Sequence, residues 1–454
     1  MLDLKYSFFK KKLKLNPVQL IVISYFLATF VAMLLLSLPV SLKEGVKLSF
    51  VDTLFTSVSA ISVTGLTVVS TADTFSVFGV FMLMLVLQFG AIGLMTLGTF
   101  IYVMLGRKIG LTHRRLIMID QNRGNISGMV QTIKLVLGFA ITLELIGAIA
   151  FGTYFYLNGY ANSWYEAYYF GLFHALSSYT NAGFDIFGDS LYRFSKDYFV
   201  QTLTMILLIL GALGFPVLIE IRTKLAKKYP DFRFSLYAKL TTSTFFILIL
   251  LGALSFFIFE KDLFMANLPW HEKIFHSLFF SVTPRNGGLA TLDVNIFSRP
   301  TLFITSILMF IGASPSSVGG GIRTTTLAIV LLTIFTFARG KSEVRVFEKR
   351  LATEDIMKSF VVFATSVMLV ITVIILLDSI EQYSFIGIMF EVCSAFGTTG
   401  LSMGLTPELS TPGKYVIIAL MFMGRIGILS ALLFMSGRDK KELYHLPEEK
   451  VLIG

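Results

Sequence analysis

The feature of this sequence that most restricts its fold is a pattern that recurs four times along the chain. Each occurrence has a long apolar stretch, a shorter segment that ends in a glycine-centred string, and a second long apolar stretch. A repeat of this kind governs the whole fold, because each quarter of the chain is then expected to adopt a similar structure. The central glycines of the four strings are Gly65, Gly183, Gly288 and Gly400.

The apolar stretches indicate a protein of the lipid bilayer. A transmembrane helix needs about 20 mostly apolar residues, and residues 18–40, 236–259 and 361–377 are among the stretches that qualify. Only 15% of the residues are charged, against about 25% in soluble proteins. The first stretch is too long for the core of a cleaved signal peptide, so we interpret it as a retained helix. The chain is therefore predicted to cross the membrane several times.

The positive charge of the chain is explained by where its Lys and Arg residues lie along the sequence. The formal net charge is +10, which could indicate a nucleic-acid partner, but Lys and Arg also collect in the cytoplasmic loops of membrane proteins. Most of the 38 Lys and Arg residues fall in five blocks outside the apolar stretches, namely 1–17, 106–134, 222–239, 339–358 and 437–454. These blocks lie on one side of the predicted membrane. We therefore expect both termini in the cytoplasm and no nucleic-acid partner.

The segment before each glycine string is too short to cross a membrane. Each opens with Phe and carries Ser or Thr, and about 10 to 15 residues is the length of a re-entrant segment. These segments end at residues 61, 179, 284 and 396. A second set of glycines follows the strings, and small residues allow membrane helices to approach closely, so we predict helix packing for Gly90, Gly93, Gly211 and Gly214.

The repeat predicts an all-α membrane protein with four helix–pore-loop–helix repeats, and hence eight transmembrane helices, around a pseudo-four-fold pore. The basic blocks and the repeats agree on one topology, because every connection that carries a basic block lies on the same side. The predicted divisions are a cytoplasmic N-terminal segment, four repeats and a cytoplasmic C-terminal tail, which are residues 1–17, 18–110, 111–222, 223–340, 341–437 and 438–454.

The glycine strings have the chemistry of a filter for monovalent cations. Non-helical backbone at membrane depth is tolerated only where it lines a watery cavity or is buried in protein, and rings of backbone carbonyls can replace the hydration shell of K⁺. The short helices would direct their negative C-terminal ends at the ion, and no string contains Asp or Glu. The candidate filter residues are Val63, Thr64, Gly65, Asn181, Ala182, Gly183, Asn286, Gly287, Gly288, Thr398, Thr399 and Gly400.

The last apolar stretch of the third repeat is predicted to be a broken helix. Proline removes a backbone donor and glycine lowers helix stability, so residues 312–321 are expected to unwind beneath the filter. The segment has few apolar anchors and is a candidate gate, with a static kink as the alternative. Its residues are Gly312, Ala313, Ser314, Pro315, Ser316, Ser317, Val318, Gly319, Gly320 and Gly321.

Three arginines lie inside apolar or glycine-rich stretches. Arg425 lies in an otherwise apolar helix, and an ionisable residue in such a helix marks a functional site by default. We predict that it lies beneath the filter, where it braces the broken segment or repels cations. Arg323 is expected to tether the end of that segment, whereas a structural ion pair behind the filter is the stronger interpretation of Arg285.

Together, the four strings, the broken helix and Arg425 resemble the Trk/Ktr/HKT superfamily of potassium transporters. The likeness covers essentially the whole chain and is greatest to the KtrB-type membrane subunit of bacterial Ktr systems. The resemblance implies that each filter glycine lines a K⁺ site and that residues 312–321 form an intramembrane gating loop contacted by Arg425. In plant relatives a serine in place of the first filter glycine accompanies Na⁺ preference, so Gly65 implies K⁺ selectivity. Pro284 and Gly287 depart from the family pattern.

The resemblance also implies partners and a location. It implies a homodimer in a bacterial plasma membrane, in which each protomer has its own pore. The dimer is expected to sit on a cytosolic ring of regulatory subunits that bind the nucleotide. No cofactor is expected on this chain itself, K⁺ is its substrate, and Na⁺ assistance is left open.

Other functions were weighed against a gated pore. An enzyme is not expected, because His271 and His276 are five residues apart instead of the four of a zinc protease helix, and no Gly-Lys-Ser/Thr string of an ATPase occurs. The single cysteine, Cys393, excludes an intramolecular disulfide. A coupled cation symporter also uses broken helices and repeats, and it stays open as the alternative.

Overall fold

The computed structural model describes residues 17–93, 96, 129–226, 232–435, 447 and 449, which are mostly helical. Both predicted cytoplasmic tails lie largely outside the described residues. Among the described residues, the helices of the first half are α1 Pro17–Leu36, α2 Phe50–Ser62, α3 Thr71–Thr74, α4 Val77–Ile92, α5 Met129–Leu157, α6 Trp164–Tyr179, α7 Tyr198–Ala212 and α8 Phe215–Leu225.

The second half repeats this order of long and short helices. Its helices are α9 Leu236–Glu260, α10 Trp270–Val282, α11 Arg299–Phe310, α12 Thr324–Ala338, α13 Thr353–Ile380, α14 Phe385–Gly397, α15 Thr411–Ile426 and α16 Ile428–Met435. A small antiparallel hairpin of β1 (Arg345–Val346) and β2 (Lys349–Arg350) joins α12 to α13. Both residues of its two-residue turn have positive φ, which matches the twist of the paired strands.

The long helices are suited to a bilayer. Among the described residues, four helices are long and apolar enough to cross a membrane, and two bent pairs of helices bring the number to six if each pair is one span. The four are α1, α5, α9 and α13, which are the first helices of the four predicted repeats. Their outward surfaces expose large apolar side chains such as Phe26, Leu250 and Met368, as expected for lipid-facing helices. The predicted total of eight spans stays a prediction.

The four short helices α2, α6, α10 and α14 are the predicted re-entrant segments, and each is described as a helix of 13 or 16 residues. Three of them begin with a serine that accepts a hydrogen bond from the first turn, namely Ser49, Ser163 and Ser384. Such a cap satisfies one of the amides that a helix start leaves unpaired. Their C-terminal residues are mostly buried, so these helices point inward from the protein surface.

The second helix of the third repeat is broken as predicted, with α11 ending at Phe310 and α12 beginning at Thr324. It was wrong, however, to expect the break in the third repeat alone. The pair α7 and α8 is bent by 104°, and the pair α15 and α16 by 98°. Each bend has a glycine with φ near +90°, Gly214 and Gly427, a conformation that side chains disfavour. The fold therefore bends in several repeats below the strings, and the third differs by having a longer break.

The second glycine set has two roles in the structure. Gly90 and Gly211 pack against backbone, since a Cβ on either would collide with a carbonyl at the end of α2 or α6. Packing is thus confirmed for these two. Gly93 and Gly214 instead have φ of 95° and 91° and end α4 and begin α8. Gly214 also packs closely, since a Cβ there would lie 2.6 Å from the Pro315 carbonyl oxygen, and both glycines supply a backbone conformation that side chains disfavour.

Candidate ion-conduction site

The four string glycines meet in one place. A Cβ on Gly183 would lie 3.2 Å from the Cα of Gly288 and 3.3 Å from that of Gly65, and a Cβ on Gly400 would lie 3.0 Å from the Cα of Gly65. A Cβ on Gly288 would in turn lie 3.2 Å from the Cα of Gly400. The contacts run from repeat 1 to 2, 3, 4 and back to 1. We call this closed set of four loops the glycine ring.

The backbone of the glycine ring is unusual at two positions in every loop. The four glycines have φ between 68° and 97°, which favours residues without a side chain. The residue two positions before each glycine also has positive φ, although none of these is glycine. These residues are Val63 (57°), Asn181 (53°), Asn286 (85°) and Thr398 (51°). Positive φ is rare for β-branched residues such as Val63 and Thr398, and strain of this kind clusters at functional sites.

Three of the four short helices end in the same capping motif. In α2 the amide of Val63 bonds to the Ala60 carbonyl at 3.2 Å, and the amide of Thr64 bonds to the Ser59 carbonyl at 2.8 Å. This pair of bonds is the Schellman motif. The same two bonds close α6 and α14. The regular strings of repeats 1, 2 and 4 therefore enter the ring from one type of helix end.

A hydroxyl group from each short helix supports the loop that follows it. Gly65 donates its amide to the Ser59 hydroxyl at 3.1 Å, and Gly400 donates to the Ser394 hydroxyl at the same distance. The hydroxyls of Ser177 and Thr283 donate to carbonyls just beyond Gly183 and Gly288, each at 2.5 Å. The presence of hydroxyl residues here is visible in the sequence, but their role is not. Their spacing of five or six residues before each glycine was the available signal.

The ring offers a cation backbone oxygens instead of carboxylates. The carbonyl oxygens of Thr64, Ala182 and Thr399 each face the glycine of a neighbouring loop, so backbone acceptors converge from different repeats. The short helices end within six residues of their glycines, which directs the negative ends of their dipoles toward the ring. Carbonyl rings of this kind are how monovalent cations are selected.

The third loop reaches the ring by different bonds, as its departing sequence suggested. The amides of Gly287 and Gly288 both bond to the Thr283 carbonyl, at 2.6 and 3.3 Å. The Asn286 side chain then crosses to the fourth loop, where its amide group donates to the carbonyls of Gly397 and Thr398 at 2.6 and 3.0 Å. Asn286 thus connects repeats 3 and 4 at the level of the ring.

Arg285 does not form the predicted ion pair with any described residue. Its side chain is buried, donates to the Ile311 carbonyl at 3.4 Å, and lies over the Phe245 ring at 5.3 Å. Since Ile311 ends α11, the guanidinium neutralises an unpaired carbonyl at a helix end. The prediction of an ion pair was wrong because a carbonyl and an aromatic face replace the carboxylate.

Residues 312–321, the predicted gating loop, lie against the ring. The amide of Gly320 donates to the Thr398 hydroxyl at 2.8 Å. A Cβ on Gly319 would lie 2.6 Å from the Asn286 amide nitrogen. Nearly all residues of this loop are buried. The loop therefore packs tightly under the third and fourth strings.

Polar contacts to the second repeat hold the gating loop. The loop fills the bend between α7 and α8, where Ser314 donates its amide to the Ala212 carbonyl at 3.2 Å and Phe215 donates to the Ser316 carbonyl at 2.9 Å. The Tyr237 hydroxyl donates to the Pro315 carbonyl at 2.6 Å. The few apolar anchors seen in the sequence are thus replaced by hydrogen bonds, which a bend in the neighbouring repeat makes available.

Two arginines reach the gating loop, as predicted. Arg425 donates to the carbonyl of Val318 and, with its other terminal nitrogen, to the carbonyls of Gly90 and Ala91 at the end of α4. Arg323 donates to the carbonyl of Gly319. Arg425 therefore bridges the loop to the first repeat, whereas the loop bonds directly to the second and fourth repeats.

The fold and this site define a class of integral membrane proteins in which four short helices and their loops meet among helices long enough to cross a bilayer. The profile of the TrkH family, described as a cation transport protein, matches residues 9–444. The chain therefore belongs to the TrkH family of cation transport proteins.

Several known proteins are similar over their whole length. Ktr system potassium uptake protein D of Bacillus subtilis is 51% identical over 97% of this chain and 98% of its own. Ktr system potassium uptake protein B of the same organism is 36% identical, with 98% of each chain covered. The potassium/sodium uptake protein NtpJ of Enterococcus hirae is 33% identical over 97% of this chain and 98% of its own.

A solved structure confirms the fold class. The potassium transporter TrkH from Vibrio parahaemolyticus superposes with a TM-score of 0.73, covering 94% of this chain and 86% of its own. The sequence identity is only 19%. The architecture is thus shared where most side chains differ.

Proposed function

We propose that this chain is the K⁺-translocating membrane subunit of a Ktr-type potassium uptake system. The observation that carries the proposal is the closed glycine ring, in which four loops with the same backbone signature meet. The names of the similar Bacillus subtilis proteins support potassium as the ion. In this proposal the twelve predicted filter residues line the K⁺ path with their backbone carbonyls.

The gating loop is proposed to open and close the path beneath the ring. Its support is its position against Thr398 and Asn286 and its bonds to three repeats. Those contacts are polar and individually weak, since a net hydrogen bond contributes about 1 kcal/mol. A partner protein that shifts the ends of α4, α8 or α16 would change these hydrogen bonds of the loop together.

Control by other subunits is part of the same proposal. The similar proteins are named as components of a Ktr system, which supports a partner subunit, and the family resemblance is the ground for proposing that this partner is cytosolic and binds a nucleotide. A homodimer and cytoplasmic termini are proposed on the family resemblance and on the charge distribution. The name of the Enterococcus hirae protein includes sodium, so Na⁺ assistance and a coupled symporter cycle remain the second candidate.

Replacing Gly65 with serine tests the proposed selectivity. A Cβ there would lie 2.8 Å from the Cα of Gly183, so the serine is expected to displace the neighbouring loop. An overpacked site costs about 1–3 kcal/mol, and we expect K⁺ over Na⁺ discrimination to fall by about tenfold. The measurement is uptake of each ion by K⁺-uptake-deficient cells that also express the partner.

The matched control is Gly45→Ser. Gly45 has φ of +82°, but nothing lies within 4 Å of its Cβ position. It therefore reproduces the backbone strain without the contact. An unchanged ion ratio in Gly65→Ser would remove the first loop from the proposed filter.

A further inference from the structure

A cavity lies beside the gating loop, outside the glycine ring. It has a volume of about 180 Å³ and is enclosed by α1, α12, α13 and the bend between α15 and α16. Polar groups along its wall include Thr326, Ser366 and Ser430. One water molecule occupies about 30 Å³ of liquid, so the space accommodates a group much larger than one water.

Three cationic side chains line this cavity, and none of the described residues along its wall is acidic. They are Arg323, Lys358 and Arg425. The ion pairs found among the described residues include neither arginine, and the two guanidiniums are close enough for their like charges to interact. Lys358 pairs only with Glu354, and both of these side chains are largely exposed. An exposed pair of that type contributes little.

Two neighbouring positive charges inside a membrane protein need compensation. Removing a charge from water costs several kcal/mol, and carbonyl dipoles offset only part of this cost. The hydrogen bonds from Arg323 and Arg425 to loop carbonyls supply such dipoles but no negative charge. An anion in the cavity would supply that charge, and the wall hydroxyls would donate to its oxygens.

We propose that this cavity binds a phosphate-bearing anion held by Arg323, Lys358 and Arg425. Basic pockets between transmembrane helices are typical sites for anionic lipid headgroups. The surfaces of α1 and α13 that flank the cavity expose Ile23 and Met357, at 47% and 66%. A lipid is therefore one source of the phosphate, and free phosphate is the other.

The site would also act on the gating loop. An anion in the cavity attracts the same guanidiniums that hold the carbonyls of Val318 and Gly319. Occupancy would weaken these bonds and favour release of the loop. This consequence rests on the proposed gating function, whereas binding of the anion does not.

Binding is tested on the purified full-length chain in nanodiscs of phosphatidylcholine, without any ion gradient. Phosphatidylglycerol is titrated in one arm and inorganic phosphate in another, and retained lipid and thermal stability are measured. A basic residue near the membrane surface contributes about 1 kcal/mol to binding an anionic lipid. We expect Lys358→Gln to weaken binding about fivefold, and Lys358→Gln with Arg323→Gln to weaken it further.

The control is Lys349→Gln, which removes one positive charge in the β-hairpin, away from the cavity. Binding of phosphatidylglycerol alone identifies a lipid, and stabilisation by inorganic phosphate identifies the free anion. The proposal is overturned if neither ligand binds to the wild-type chain, or if Lys358→Gln and Lys349→Gln bind equally well. Since no flux is measured, a failure here leaves the proposed potassium path standing.

Discussion

The glycine ring and the layer beneath it follow different rules, although the same four repeats build both. In the ring, each repeat contributes a glycine with positive φ and a second positive φ two residues earlier. Beneath it, repeats 2 and 4 bend at the single glycines Gly214 and Gly427, whereas repeat 3 unwinds from Gly312 to Gly321.

The difference shows how a repeated protein acquires an asymmetric element. A spherical ion can be coordinated equally from four sides, so four loops with similar carbonyl geometry suit the ring. The one long loop, from repeat 3, is buried under the ring and is bonded to repeats 2 and 4. The bend in repeat 2 supplies the backbone groups that hold this loop, through Ala212 and Phe215.

Gly288→Ala is expected to have the largest effect, because it introduces a side chain into the ring. Its Cβ would lie 2.9 Å from the Cα of Gly183 and would also collide with the Thr399 carbonyl. Overpacking and a strained backbone each cost about 1–3 kcal/mol. We expect potassium uptake to fall to the background of the K⁺-uptake-deficient host.

Gly404→Ala separates the two causes in that experiment. Gly404 has φ of +84° but nothing within 4 Å of its Cβ position, so it carries the strain alone. We expect this variant to retain most of its uptake. Equal loss in both variants would mean that strain, not crowding of the ring, stops transport.

Deleting residues 312–321 tests whether the layer beneath the ring controls flux. The deletion removes several hydrogen bonds of about 1 kcal/mol each, so we expect flux without the partner to rise by about 100-fold. The measurement is K⁺ efflux from liposomes with and without the regulatory subunit. The ratio of K⁺ to Na⁺ flux reports an intact ring, and flux that stays under partner control would contradict the gating role.

Arg425→Gln is expected to loosen the same loop less completely. The change removes hydrogen bonds to Val318, Gly90 and Ala91, of which only the charged bond to Val318 is made to the loop itself, and one such bond is worth about 1.5–3 kcal/mol. We expect partner-independent flux to rise by about tenfold, measured in the same liposomes. Arg323→Gln is the comparison, because Arg323 reaches Gly319 within its own segment. If Arg323→Gln has the larger effect, the bridge to the first repeat is not what holds the loop.

Tyr237→Phe is expected to have the smallest effect. It removes only the hydroxyl that donates to the Pro315 carbonyl at 2.6 Å. Loss of one such bond, about 1 kcal/mol, should raise partner-independent flux by about fivefold. Tyr383→Phe removes a hydroxyl that bonds to Glu408 at 3.3 Å, at an exposed site distant in sequence from the loop. Similar flux in Tyr237→Phe and Tyr383→Phe would mean that the Tyr237 hydroxyl on α9 does not stabilise the loop.

The sequence was sufficient for the local features. Apolar length and the glycine strings predicted α1, α9 and α13, the four short helices and the break at residues 312–321, because these depend on composition over a few turns. It was not sufficient for the bend at Gly214. The sequence shows the same letter for a glycine that only packs and for one that also bends the chain, and the φ of 91° identifies Gly214 as one that bends it.

The partners of the arginines could not be predicted either. Arg285 and Arg425 are equally conspicuous in the sequence, but one lies against Ile311 and Phe245, and the other spans three carbonyls from two repeats. Contacts between residues more than 300 positions apart depend on how the helices cross. No pattern within a short stretch of sequence indicates how the helices cross.

By itself, the sequence determined that this is a membrane protein, and it predicted four similar parts, each with a glycine where the backbone leaves the helix. Those properties follow from side-chain polarity and from the conformational freedom of glycine, which are local. The tertiary structure alone decided that the four glycines close into one ring and that the third repeat's loop fills the bend of the second. Closure and filling depend on distances between repeats, which packing sets.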